Sequence, residues 1–184
     1  MSVLFAGYRG YITAGLALGF ACGAWNFLSF WLDPLDDSIA GMLLIYLPMF
    51  TIWAVAGFVA ARRRGRLVDA VGAGAVIAFA TFLVFWILNF VRVHVFLDTL
   101  YTSPDWQTTV VARYHVSGFE TFRGYVIYEY LMDVPLKLAA PTVIGVVLAS
   151  VGGVAGLFGW RRGLAAGNTD HRSSHGQHGE HGQV

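Results

Sequence analysis

Four stretches of this chain, residues 11–32, 38–61, 70–91 and 138–160, contain no charged residue at all. A bilayer core about 30 Å thick needs roughly 20 consecutive apolar residues of helix, and each stretch meets that length. Unpaired backbone groups cost too much in lipid for anything but helices or a closed barrel. The runs are too long and continuous for barrel strands. The sequence therefore predicts an all-α integral membrane protein, a four-transmembrane-helix bundle in residues 1–162, with the lipid bilayer as its first partner. Composition points the same way. Of 184 residues, 57% are hydrophobic and 12% charged, against about 25% charged in a soluble domain.

Net charge is +1, which gives no reason to expect a nucleic-acid partner. Arginine outnumbers lysine eleven to one, a usage typical of GC-rich bacterial genomes. The single cysteine, Cys22, lies in an apolar run and excludes an intrachain disulfide. It reads as a small buried packing residue. No basic segment precedes the first apolar run and no small-residue cleavage site follows it, so that span is expected to stay in place.

Orientation follows from the arginines. Arg9, Arg62, Arg63, Arg64, Arg66, Arg161, Arg162 and Arg172 fall on one side of the spans, while only Arg92, Arg113, Arg123 and Lys137 fall on the other. The positive-inside rule then places both termini in the cytoplasm of a bacterial inner membrane. Trp25, Phe27, Phe30 and Trp31 mark the outer end of the first span, Trp86 and Phe90 that of the third, and Trp160 the inner end of the fourth.

Small residues suggest where helices meet. Gly15, Gly19 and Gly23 form a ridge on the first span, and Gly145, Ala149 and Gly153 line the fourth. Residues of this size, four apart, let backbones approach closely in lipid. Whether the ridge packs within the chain or between copies stays open. Pro48 and Pro141 are expected to kink the second and fourth spans.

Residues 92–137 form the sizeable segment outside the membrane. Ser103, Pro104 and Asp105 give a cap, a first-turn proline and an N-terminal carboxylate, predicting a short helix to about His115, with Gly118 as punctuation. Phe119, Phe122, Val126, Ile127, Tyr130, Leu131 and Val134 then recur at helical spacing. They predict an amphipathic helix on the outer membrane surface or capping the bundle. The acidic turn Asp33, Asp36, Asp37 lacks the ligand spacing of a calcium loop and reads as solvated.

Two sets of residues are candidates for a site. Arg92 and His94 sit where the third span leaves the membrane, and Glu129, Asp133 and Lys137 where the fourth enters. Together they form an outer-mouth polar cluster in which Arg92 or His94 is expected to pair with Glu129 or Asp133. The alternative is that these charges merely flank the spans. The second set is the tail, residues 163–184, too rich in Gly, Ser, Gln and His to fold alone. His171, His175, His178 and His181 there could ligate zinc, nickel or copper, or could simply be solvated.

No HExxH, GxSxG or nucleotide-binding pattern is present, and no cofactor is implied. The reading that remains first is an accessory or scaffolding membrane subunit, associating with other membrane proteins or itself. The second is an oligomeric channel or transporter for a small solute. The spans carry only neutral polar groups such as Asn26, Ser29, Thr51, Thr81, Asn89 and Ser150, which argues against proton coupling. A membrane enzyme would have to work with Arg92, His94, Glu129 and Asp133.

Overall fold

The computed structural model describes residues 2–32 and 39–175, with side chains from Tyr8 to Gly159 apart from residues 33–38. The described chain is all-helical. Four helices are long and apolar enough to cross a membrane: α1 (Ser2–Leu32), α2 (Ile39–Arg64), α3 (Leu67–Val95) and α8 (Val134–His175). Leu43, Leu47, Val55, Val143 and Val147 are exposed on their outer faces, where a protein in water would carry charge. The chain is a multi-pass membrane protein.

Alternation of the four helices defines two ends. At the arginine end, α2 turns directly into α3. Gly65 takes φ 68°, and its N–H bonds to Ala61 O at 2.7 Å. This left-handed residue just past a helix is where glycine avoids a Cβ clash. At the other, capped end lie α4 (Leu97–Thr102), α5 (Pro104–Trp106), a π-helical stretch Gln107–Val111, α6 (Ala112–Ser117) and α7 (Phe122–Met132).

The long helices are not equivalent. α2, α3 and α8 pack on one another as a three-helix core, and α1 docks on α3 while meeting α2 only lightly. Small residues explain these seams. A Cβ on Gly57 of α2 would fall on the backbone carbonyl of Ala149, and Cβ atoms on Gly152 and Gly156 of α8 would fall on those of Ala54 and Phe58. On α1, a Cβ at Gly15 would lie 2.7 Å from Ile77 O, and one at Gly19 would strike Thr81 O. The glycine ridge thus lies against α3 of the same chain, with Gly23 against Leu88. In the interior Trp53, Met49, Ile77 and Thr81 are fully buried. The Trp53 indole donates to Thr81 Oγ1 at 3.4 Å, and that hydroxyl donates to Ile77 O at 2.7 Å, so both polar groups are satisfied without water.

Helix ends differ from the sequence expectation in informative ways. α3 runs on to Val95 and carries Arg92 and His94 in its last turns. Ser103 does cap the short helix, accepting from Trp106 N at 3.4 Å, and Gly118 at φ 77° ends α6. α7 begins at Phe122 rather than Phe119, because the Thr121 hydroxyl caps it by accepting from Gly124 N at 3.2 Å. Asp133 separates α7 from α8, so Glu129, Asp133 and Lys137 do not share one continuous helix. Pro135 then sits in the first turn of α8, where its missing N–H costs nothing. Pro48 and Pro141 lie inside helices that continue through them. The helical backbone of α8 also continues past the span to His175, into residues from which the sequence predicts no packed structure.

Candidate functional site

Polar side chains collect where the capped ends of α1 and α3 meet α7. Arg92 Nη1 donates to Asn26 Oδ1 at 3.3 Å, Asn26 Nδ2 to Asn89 Oδ1 at 3.3 Å, and Asn89 Nδ2 to Tyr130 Oη at 3.3 Å. The guanidinium can only donate, so it fixes both amides: Asn26 must turn its oxygen to Arg92 and its nitrogen to Asn89, and Asn89 its nitrogen to Tyr130. The chain runs from a cation to a phenol and ties the spans to the cap. The Arg92 guanidinium also stacks over Phe30, 4.7 Å from the ring centre.

Apolar packing fixes these groups. Phe30, Val93, Leu97, Leu100 and Val126 form a buried cluster, with Phe122 and Tyr130 against it. Phe122 meets Tyr101, Trp106 and Tyr114 edge-on at 4.9–6.3 Å. α7 is therefore held by its Phe122–Val126–Tyr130 stripe, while Tyr128, Leu131 and Met132 on the same helix stay exposed.

The expected ion pairs are distributed differently. Glu129 faces Arg113 at 3.3 Å and accepts from the Tyr125 hydroxyl. Asp133 pairs with Lys137 at 3.4 Å, and that ammonium lies 4.3 Å from the Tyr130 ring centre. Among the described residues, no ion pair joins Arg92 or His94 to Glu129 or Asp133. The reason is direction. Arg92 points across α3 toward α1, and Glu129 points along α7 toward the short helices. His94 donates from Nδ1 to Phe90 O at 2.8 Å, the carbonyl being an acceptor only. Its Nε2 is buried with no hydrogen-bond partner, as is the indole N–H of Trp86. Burial and the adjoining Glu129 carboxylate push the Tyr125 phenol up. Burial pushes Tyr130 up too, offset in part by the Arg92 charge and the Asn89 hydrogen bond.

Two cavities flank the shared wall of Tyr46, Phe85 and Asn89. One, of about 360 Å³, opens between α1 and α2 and includes Asn26, Ser29 and Arg92 in its lining. The other, of about 350 Å³, lies between α2, α3 and α8 and includes Trp86, Lys137 and Pro141. A third, of about 480 Å³, lies toward the arginine end between α1 and α2, beside Arg63 and Arg64. Among the described residues, no three His, Cys, Asp or Glu side chains gather as metal ligands. His171 and His175 fall on α8 beyond the last described side chain, and His178, His181 and the acidic turn Asp33, Asp36, Asp37 lie outside the described residues.

The sequence singles out Arg92 but not its partners. The signal was there: Asn89 and Arg92 are three apart on α3 and share a face, and Asn26 stands at a matching depth on α1. No family model, no curated protein and no solved structure matches this chain.

Proposed function

We propose that the chain is an accessory or scaffolding subunit of a bacterial inner membrane, both termini cytoplasmic and the helical cap outside. One observation carries this reading. The cap is locked to the spans by the Arg92–Asn26–Asn89–Tyr130 chain while the same helix, α7, leaves Leu131 and Met132 exposed. A rigidly held apolar edge at the membrane boundary is what a contact subunit needs. The arginine asymmetry supports the orientation. Reporter fusions after Arg66 should read cytoplasmic and fusions at Ser103 external, and a cytoplasmic signal at Ser103 would overturn it.

The role is tested by photoreactive residues at Leu131 and Met132, with Val143 on the lipid face of α8 as the control. A discrete stoichiometric adduct from the α7 positions in native membranes supports the subunit reading. Adducts only between copies of the chain would favour the second reading, an oligomeric channel or transporter. That alternative draws on cavities at both ends of the α1–α2 seam, with fully buried Met49 and Trp53 between.

A further inference from the structure

The indole N–H of Trp86 is buried and bonds to nothing. It sits nine residues short of the end of α3, about 13 Å along the helix axis at 1.5 Å per residue. Its nitrogen is shut off from solvent there, and an unsatisfied donor is costly to leave in an apolar surrounding. Native structures rarely leave such groups unpaired without a reason. Trp86 lines the cavity of about 350 Å³ between α2, α3 and α8, and a tilt of the indole toward that cavity would bring its N–H to an acceptor there.

The rest of the lining restricts what that occupant can be. Asn89 uses one amide proton on Tyr130 and accepts at its oxygen from Asn26, which leaves its second N–H over. Among the described residues the Tyr46 hydroxyl makes no hydrogen bond. Lys137 brings an ammonium group to the same cavity. It shares its charge with Asp133 at 3.4 Å across an exposed i,i+4 contact, which holds a lysine only weakly. The polar lining is thus rich in donors and carries one cation. Phe82, Phe85 and Ala140 make the remainder apolar. Leu136, at the rim, is 70% exposed, so the cavity opens sideways at the membrane boundary.

We propose that this cavity is a binding site for a phosphate- or carboxylate-bearing anion, the head of an amphiphile whose tail leaves past Leu136 into the bilayer. Lys137 neutralises the charge, and Trp86 and Asn89 donate to the oxygens beneath it. A cavity of this size takes a headgroup and its first ester linkage rather than a whole lipid. The site is independent of any subunit role.

The test uses the full chain in neutral detergent, with phosphatidylglycerol, phosphatidylcholine and free glycerol phosphate as probes, read by native mass spectrometry and thermal melting. Phosphatidylglycerol should bind one to one, about tenfold tighter than phosphatidylcholine, and raise the melting temperature. Trp86→Phe keeps an aromatic side chain and loses the indole N–H with its five-membered ring. Whatever its lipid-free melt, which also carries the cost of the smaller ring against Phe90, it should lose most of the lipid-induced rise. Lys137→Gln should weaken binding about tenfold. Ala140→Trp, which fills the cavity from an exposed position, should abolish binding with the fold intact. Arg63→Gln at the opposite end should change nothing. If free glycerol phosphate competes at equal concentration, the ligand is the anion itself; if it does not, the anion is lipid-borne. Phosphatidylglycerol bound equally well by wild type, Trp86→Phe and Ala140→Trp would overturn the proposal and leave a cavity filled by water. So would equal affinity for the two lipids.

Discussion

The α2–α8 seam and the α1–α2 seam cross the same membrane and are built on opposite terms. In the first, Gly57, Gly152 and Gly156 bring backbone onto backbone, and Ala149 is fully buried between Gly57 and Gly74. In the second, the two helices barely touch, and cavities of about 360 and 480 Å³ open toward its two ends. Helices in lipid gain nothing from apolar burial as such, so they close only where small side chains allow dense contact. Gly15, Gly19 and Gly23 of α1 all meet α3, while Gly10, beside the α1–α2 seam, meets nothing within 4 Å. Polar groups gather where closure fails: Asn26, Asn89 and Arg92 line the open seam, whereas at Gly57, Gly152 and Gly156 the closed seam presents the backbone of Ala149, Ala54 and Phe58.

The sharpest way to break this contrast is a matched pair of substitutions. Gly57→Leu should cost about 3 kcal/mol or more and remove most folded protein, because its side chain must displace the Ala149 backbone. Gly10→Leu faces open space in the α1–α2 seam and should stay within about 0.5 kcal/mol of wild type. Thermal melts in detergent decide it, and equal losses would show that both seams are closed.

A middle-sized effect probes the satisfied interior. Thr81→Val leaves the Trp53 indole N–H without its acceptor and should cost about 1–3 kcal/mol. The Trp53→Phe, Thr81→Val double variant should recover part of that loss. No recovery would mean the 3.4 Å contact carries no energy.

Charge pairs at the capped end should give less. A double-mutant cycle on Arg113→Ala and Glu129→Ala should report a coupling of about 0.2–1 kcal/mol, because the arginine is largely exposed. The same cycle on Arg92 and Glu129 should be additive, and the charge swap Arg92→Glu with Glu129→Arg should rescue nothing. Coupling in the second cycle larger than in the first would restore the pairing expected from sequence.

The smallest effect is alkaline. Burial raises both Tyr125 and Tyr130 above their ordinary value of 10.0. The fold therefore holds these protons more tightly than the unfolded chain. Their stabilisation is complete below pH 10 and is lost as pH climbs from there through the raised values. Tyrosinate absorbance should show a late-titrating amplitude that falls in the Tyr125→Phe, Tyr130→Phe variant. A wild type whose phenols all ionise together would contradict the buried cap.

Much of this protein is legible in its sequence. Bilayer thickness and the cost of unpaired backbone in lipid suffice to predict four helices from four uncharged runs, and the caps at Ser103 and Gly118 are local chemistry that a short window contains. Periodicity identifies Phe122, Val126 and Tyr130, which hold α7 down, but it also counts Leu131, which the fold leaves exposed, and Phe119, which precedes the helix. What only the tertiary structure decided is which helix faces which and where each charge points. The glycine ridge of α1 has the same letters whether it meets α3 or another copy. The pairing of Glu129 with Arg113 rather than Arg92 turns on a break at Asp133 and a turn at Gly118 that redirect whole helices. Asn26 and Asn89 are sixty-three residues apart. Span assignment depends on the sum of many residues, which tolerates error. A hydrogen-bonded chain depends on the crossing of two helices to within an ångström or so, and no local pattern encodes that.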